Sequence, residues 1–241
     1  MSAVLVQKYG GSVLADDAAI RRAAGEVAKR VRSGSKVVVV VSAIDGVTDR
    51  LLDRLVHFPN AGAADRDLLL ATGEIASTAL FTAALRGEGI LALGLNPWQL
   101  GIRARTDEEG GGVDRVNSLG VLAALSRHDA VVCPGFVGVT AAGVAATLGR
   151  GGSDLTAIAL AEAVDASICE FIKDVPGYFS ADPKRDPAAR QLPTITLRAA
   201  LELAQGGCEL MQERALLRAR TARTRLVVRA LDDPRATAIV A

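Results

Sequence analysis

Short runs of β-branched residues alternate along this chain with long segments that are rich in alanine and leucine at helical spacing. This alternation is typical of parallel strands joined by crossover helices, which predicts an α/β fold. Because the predicted strands lack an alternating polar face, we expect helices to cover both faces of the sheet. The predicted strands are 4–7, 37–42, 90–94, 130–133, 167–172 and 226–229, and the predicted helices are 18–32, 65–86, 117–126, 154–164, 197–204 and 212–219.

The length and charge of the chain narrow the classes of function. Its 241 residues, 50% of them hydrophobic, are enough to bury one large core within a single α/β domain. Lysine and arginine total 28 against 27 aspartates and glutamates, so the net charge of +1 creates no global field for nucleic acid or anionic lipid. We therefore expect no nucleic-acid partner, and any anionic ligand must be held locally.

The cysteines and the apolar runs indicate a soluble cytoplasmic protein. Cys133, Cys169 and Cys208 are far apart and form no C-x-x-C motif, which argues for a reducing compartment and against structural zinc. We interpret them as small buried residues. The most apolar run, 37–41, is far shorter than the ~20 residues that a membrane span needs, so no membrane contact is expected.

Three loops with glycine lie beside the predicted strands: 8–12, 148–154 and 173–177. Nucleotide sites of open α/β sheets form in such loops, because helix N-termini and free backbone N–H groups point there. In the first loop two glycines let the backbone approach a phosphate, and Lys8 can place its ammonium on the transferring group. The alternative is an ordinary turn beside a solvent-facing lysine.

The second loop adds side chains that suit an anionic substrate. Arg150 can bind a carboxylate through two hydrogen bonds, and Ser153 is a candidate N-cap. Asp154, in the first helical turn, can orient a lysine or serve a magnesium ion. The alternative is a glycine-rich hinge before a capped helix.

Five motifs together resemble the aspartokinases of the amino-acid kinase family, in the order and spacing seen there. They are Lys8-Tyr9-Gly10-Gly11-Ser12, Ala71-Thr72-Gly73-Glu74, Trp98-Gln99-Leu100-Gly101-Ile102, 147–154, and Asp174-Val175-Pro176-Gly177 followed by Asp182-Pro183. The resemblance runs from residue 4 to about 239. It implies an open, mainly parallel sheet sandwiched between helices, in one catalytic domain over 1–241. An N-terminal lobe would bind the amino-acid substrate, and a C-terminal lobe would bind ATP with Mg²⁺ on its phosphates. The resemblance also implies that the chain assembles as a homodimer.

The resemblance also implies roles for individual residues. Lys8 and Asp154 match catalytic positions, and the substrate-binding positions are Thr48, Glu74, Arg150 and Ser153. The nucleotide-binding positions are Gly10, Gly11, Ser12, Lys173, Asp174, Phe179 and Lys184. Glu74 has an alternative interpretation, because a lone glutamate within a helical pattern could also lie on a solvated face.

The reaction that this family performs needs few special groups. A carboxylate is already a nucleophile at neutral pH, so making an acyl phosphate requires positioning and charge neutralisation rather than a strong general base. His57 and His128 lie outside every motif, and we expect both to be surface or loop residues.

Several positions depart from the family pattern. Lys173 stands where a threonine is common, Glu209 where an ATP-contacting lysine is expected, and Phe179 and Lys184 where a tyrosine and an arginine are usual. One hypothesis is that the cation has moved to Lys173 and is held there by Glu209; the other is drift at a site that no longer binds ATP well. The segment that would form ACT domains is missing after residue 240, so we expect no feedback control by lysine, threonine or methionine.

These inferences predict a kinase that phosphorylates the side-chain carboxylate of aspartate or a close relative, using ATP. Two alternatives stay open. One is a paralogue acting on a different amino or carboxylic acid in a specialised biosynthetic pathway, and the other is a catalytically silent nucleotide-binding subunit.

Overall fold

Twelve strands, eight α-helices and one 3₁₀ helix (Gly11–Leu14) make up the secondary structure of the part of the chain that a computed structural model describes, residues 3–105 and 112–240. The strands are β1 (Val4–Tyr9), β2 (Lys36–Val41), β3 (Ala92–Gly94), β4 (Arg103–Arg105), β5 (Gly112–Arg115), β6 (Ala130–Pro134), β7 (Val137–Val139), β8 (Ala145–Thr147), β9 (Ile168–Lys173), β10 (Thr194–Thr196), β11 (Arg225–Ala230) and β12 (Ala236–Val240). The helices are α1 (Asp17–Arg32), α2 (Val47–Leu55), α3 (Ala63–Gly87), α4 (Pro97–Leu100), α5 (Ser118–Leu125), α6 (Gly152–Ala163), α7 (Leu197–Gln205) and α8 (Glu213–Ala219).

The main sheet has eight strands in the order β10-β12-β11-β9-β1-β2-β6-β3. Its pairs are parallel except β11 with β12, so the predicted mainly parallel α/β sheet is confirmed. All six predicted strands belong to it, and all six predicted helices are present. The sequence analysis missed β10, β12, α2, α4 and a second sheet, β5-β4-β7-β8, because most of these elements are too short to show a periodic pattern.

Both faces of the main sheet are covered, as the absence of a polar face predicted. Val38 and Val40 of β2 pack into a core cluster with α5, α6, α7 and α8, whereas Val37, Val39 and Val41 pack into another with α1 and α3. All five valines are fully buried. Successive side chains of a strand point to opposite faces, so an uninterrupted valine run supplies two cores at once.

A buried charged network joins α1 to the sheet. Glu170 of β9 accepts hydrogen bonds from Gln7 of β1 (2.7 Å), Arg30 of α1 (2.6 Å) and Arg229 of β11 (3.2 and 3.3 Å). Arg229 also donates to Glu26 of α1 at 3.3 Å. Three neighbouring strands and one helix are thus joined by ion pairs centred on the buried Glu170, while Arg30 and Glu26 keep part of their surface exposed.

The helix α3 has 25 residues and is long and apolar enough to cross a membrane by length and composition alone. Half of its most apolar stretch is buried, where α3 packs against α1, α2 and the strands β6 and β8. This packing is typical of a core helix. The same packing of α3 places Glu74 beside the carboxyl ends of the strands.

We expect Arg229→Met to lower the free energy of unfolding by about 3 kcal/mol, because it leaves the buried Glu170 without its full counter-charge and removes a partner of the half-buried Glu26. Urea denaturation measures the effect. The matched control is Arg198→Met, which breaks an exposed pair with Glu202 (3.1 Å) and should cost far less. Equal losses in the two variants would contradict the structural role of the network.

Candidate functional site

The carboxyl ends of β1, β2 and β9 meet at one edge of the sheet. Consecutive strands β1 and β2 are neighbours, and β9 pairs with the other side of β1, so the connections diverge on either side of β1. Open α/β sheets bind ligands in the crevice at such a point. Here a cleft of about 400 Å³ opens between the loops, and its walls include Lys8, Glu74, Arg150, Asp154 and Lys173.

Two lysines converge on one buried aspartate at the bottom of this cleft. Lys8 of β1 and Lys173 of β9 both point to the sheet face covered by α6, because each lies at an even spacing from a residue buried against it, Val6 and Phe171. Asp154 lies in the first turn of α6. Its Oδ1 is 2.8 Å from Lys8 Nζ, and its Oδ2 accepts a hydrogen bond from Lys173 Nζ at 3.0 Å.

Burial and charge set the protonation of these groups. Burial alone would raise the pKa of Asp154, but Lys173 and Lys8 outweigh it and lower that pKa to about 2. Burial lowers the pKa of Lys8, and Asp154 acts in the opposite direction. Only 6% of Lys8 is exposed, so the alternative of a solvent-facing lysine is wrong. The two lysine side chains are therefore held in fixed positions on either oxygen of one buried carboxylate.

Glycine is required where the loops come closest. A Cβ on Gly11 would lie 2.8 Å from the Ala43 carbonyl oxygen. Gly151 has φ +71°, and a Cβ there would collide with the side chain of Gln212.

Gly151 is the N-cap of α6, so the prediction of Ser153 as N-cap is wrong: the left-handed glycine turns the chain into the helix. Ser153 lies inside the first turn, where its hydroxyl accepts from Ser42 Oγ at 3.1 Å.

Glu74 is buried beside the cleft, with 3% of its surface exposed, so the alternative of a solvated face is wrong. Its Oε1 accepts a hydrogen bond from the Ala43 N–H at 3.2 Å, while its buried Oε2 has no partner among the described residues. Burial raises its pKa from 4.5 to about 7, although the Ala43 hydrogen bond and the charge of Lys8 both lower it. Such a carboxylate lacks one cationic partner.

The structure brings together most, but not all, of the predicted site residues. Thr48, Arg150, Ser153 and Gly11 line the cleft with the groups above. Five residues predicted to bind the nucleotide do not line it. Gly10 and Ser12 flank the lining residue Gly11. Asp174 is exposed, Phe179 is half-buried and bridged to Gln191, and Lys184 lies in an exposed turn.

Glu209 lines the cleft but is exposed and makes no ion pair within the described ranges. The prediction that Glu209 holds Lys173 is therefore wrong, because Lys173 pairs with Asp154 instead. The physical reason is the position of Lys173 at the end of β9, on the face covered by α6. The buried Asp154 lies there and attracts a cation more strongly than an exposed carboxylate does.

The histidines and cysteines lie apart from this chemistry. His57 is in an exposed loop, and the half-buried His128 contacts the Ala124 carbonyl, so both are loop residues as expected. Cys133 and Cys169 are buried as predicted, whereas Cys208 is only half-buried because its loop between α7 and α8 is partly open to solvent.

Sequence reasoning missed Phe136, which lines the cleft with the unusual φ of +65°. It follows Pro134 and Gly135, directly after β6, and β6 ends at the same edge as β2. The dipeptide Pro-Gly after a predicted strand was the signal that could have found it. Two exposed carboxylates of the cleft, Asp45 and Asp49, carried no signal beyond their polarity.

Residues 3–230 match the Amino acid kinase family. The chain belongs to this family. It is 35% identical over 238 residues to an aspartokinase of Geobacillus stearothermophilus, and 39% identical over 221 residues to one of Mycolicibacterium smegmatis. These alignments cover 98% and 90% of this chain but 58% and 52% of the relatives, so the chain spans little more than half their length.

Several solved structures share the fold of this chain. Aspartate kinase from Synechocystis has a TM-score of 0.84 at 36% identity, covering 99% of this chain and 40% of that one. E. coli aspartokinase III in complex with aspartate and ADP has a TM-score of 0.79 at 26% identity, covering 99% and 65%. A UMP kinase from Ureaplasma parvum, 18% identical with a TM-score of 0.69, covers all of both chains and shares the fold.

We expect Glu74→Gln to remove a pH-dependent loss of stability. The folded pKa of Glu74, about 7, lies above its ordinary value of 4.5, so between these pH values the folded state keeps a proton that the unfolded state has released. Stability therefore falls as pH rises through this window, by about 3 kcal/mol in total. Urea denaturation at pH 5 and pH 8 should show this fall in the parent and not in the variant. Glu202→Gln, the same change at an exposed site, should behave like the parent.

Proposed function

We propose that this chain transfers the γ-phosphoryl group of ATP to the side-chain carboxylate of aspartate or a closely related amino acid. The observation that carries the proposal is the convergence of Lys8 and Lys173 on Asp154 in one cleft with Arg150 and the half-partnered Glu74. Two cations suit a transferring phosphoryl group, while a cation and a carboxylate suit a zwitterion. The aspartokinase relatives and the aspartate and ADP bound by the E. coli enzyme support the same assignment.

In the proposed acceptor site Arg150 binds the α-carboxylate, and the free Oε2 of Glu74 accepts the ammonium. Ser153 and Thr48 line the same wall and complete the polar surface. An ammonium there would neutralise Glu74 and favour its ionised form. The side-chain carboxylate of the acceptor then faces the two lysines.

The reaction forms one bond and breaks one. A carboxylate oxygen of the acceptor attacks the γ-phosphorus, the bond to the β–γ bridging oxygen breaks, and ADP leaves with that electron pair. The products are an acyl phosphate and ADP, with no proton to remove from the nucleophile. Lys8 and Lys173 stabilise the charge on the transferring group, and Asp154 keeps both ammoniums in place.

For the donor we propose the C-terminal part of the fold as the ATP lobe and the N-terminal part as the acceptor lobe. The backbone of Gly10, Gly11 and Ser12 would contact the phosphates, while Asp174, Phe179 and Lys184 would take the nucleoside. The described residues contain no group of three or more metal-ligating side chains, so Mg²⁺ would enter on the ATP phosphates. The exposed carboxylates of the cleft, Asp45, Asp49 and Glu209, fit the one or two protein ligands that such an ion takes.

The predicted homodimer and cytoplasmic location stay proposals that rest on the resemblance to aspartokinases and on the free cysteines. The two alternative functions make different products. A paralogue would phosphorylate another acid, and a silent subunit would bind ATP without turnover.

We expect hydroxylamine to trap an acyl phosphate as a hydroxamate when the protein is incubated with ATP, Mg²⁺ and aspartate, within a panel of amino and dicarboxylic acids. Lys8→Ala should lower turnover by at least about 10²-fold, because a preorganised cation at the transferring group is lost. Lys36→Ala is the control, since Lys36 pairs with Asp129 at the opposite end of β2. No hydroxamate with any acid would favour the silent subunit, and a hydroxamate with a different acid would favour the paralogue.

We expect Lys173→Thr to raise the ATP dissociation constant roughly tenfold, because one of two cations leaves the phosphate site. Adding Glu209→Lys should restore part of the affinity by returning a cation to the same cleft. Isothermal titration calorimetry on the parent, both single variants and the double variant makes the comparison. Equal ATP affinity in all four proteins would contradict a relocated cation.

A further inference from the structure

One aspartate outside the proposed contact residues joins the helix α3 to the strand β8. Asp67 of α3 accepts two hydrogen bonds from Thr147 of β8, which lies 80 residues later. Its Oδ2 accepts from the Thr147 N–H at 3.0 Å, and its Oδ1 accepts from the Thr147 hydroxyl at 2.9 Å. Both residues are half-buried, which protects these bonds from competition with water.

The two ends of this clamp lead directly to the proposed acceptor groups. Asp67 precedes Glu74 by two helical turns on the same side of α3. Thr147 ends β8, three residues before Arg150. The contact therefore ties the helix that carries the carboxylate to the segment that carries the guanidinium.

The segment around Thr147 is anchored at several points: Ala146 and Leu148 are buried in the main core cluster, and Leu148 donates its N–H to the Phe136 carbonyl at 2.7 Å and accepts from Arg214 at 3.1 Å. The Asp67 contact adds two hydrogen bonds that join this segment to α3. β8 is the last strand of the small sheet and pairs only with β7. Beside the clamp, Ala71 of α3 packs against Ala145 and Val137 in a small apolar cluster. Small side chains bury little apolar area, so the two hydrogen bonds between Asp67 and Thr147 set the geometry of the contact between α3 and β8.

We infer that Asp67 is a positioning residue of the acceptor site, fixing Arg150 relative to Glu74 through its two hydrogen bonds to Thr147. The inference rests on the proposed function for its catalytic consequence, because the zwitterionic acceptor must reach both groups at once. The clamp itself does not touch the nucleotide side, where Lys8 and Lys173 are held by Asp154.

The experiment compares Asp67→Asn with Asp65→Asn. Asparagine presents one acceptor and one donor, so it keeps one bond to Thr147 and faces the other donor with an N–H group. Asp65 is the matched control: it lies on the same helix and accepts from the Gly62 N–H at 2.9 Å, without contact to β8. A change caused only by weakening α3 would appear in both variants.

We expect Asp67→Asn to raise the KM for the acceptor about tenfold, the effect of a lost hydrogen bond to a charged group, with an unchanged KM for ATP. Thr147→Ser keeps both donors and should stay close to the parent. Equal increases in both KM values, or the same change in Asp65→Asn, would overturn the positioning role.

A second measurement does not depend on the substrate. Arg150 is exposed and is a trypsin site, so opening of its segment is seen as cleavage after Arg150, followed by mass spectrometry. We expect this cleavage to be several-fold faster in Asp67→Asn than in the parent or in Asp65→Asn. Unchanged cleavage would overturn the clamp whatever the acceptor. If no acid gives a hydroxamate, the proposed function fails while this comparison still tests the clamp.

Discussion

The cleft depends on one buried carboxylate between two lysine side chains. Lys8 and Lys173 extend from the neighbouring strands β1 and β9. Without Asp154, their ammonium groups would repel each other in a place where burial already disfavours the charge of Lys8. Asp154 stands in the first turn of α6, where the helix dipole also favours a negative charge. The ion pairs thus fix α6, β1 and β9 around the point where the phosphoryl group would move.

One other charged side chain of the cleft, Glu74, has a carboxylate oxygen that a ligand could pair with. Glu74 has one oxygen bonded to Ala43 and one oxygen buried without a partner, and its pKa is raised accordingly. A protein gains no stability from such a group, since burial disfavours its ionised form. The most economical account is a cationic group that arrives with the substrate and completes the pairing.

Two positions show how the charged groups of this cleft differ from those that the resemblance implies. Glu209 stands where related chains are expected to carry a lysine, yet the cleft keeps two cations because Lys173 reaches Asp154 from the end of β9. The position of Lys173 along β9 explains why it reaches Asp154, because only alternate residues of the strand face α6. A lysine one residue earlier or later would point to the opposite face.

The sequence by itself determined six of the eight strands of the main sheet, six helices, the order of the glycine-rich loops and the residue types of the site, because periodicity and motif spacing are local properties of a chain. It could not determine the small sheet, whose strands of three and four residues are too short for a pattern. The partner of Lys173 and the burial of Glu74 were decided only by tertiary structure. Both depend on which strands become neighbours and which helix packs over them, and those contacts join residues far apart in the chain.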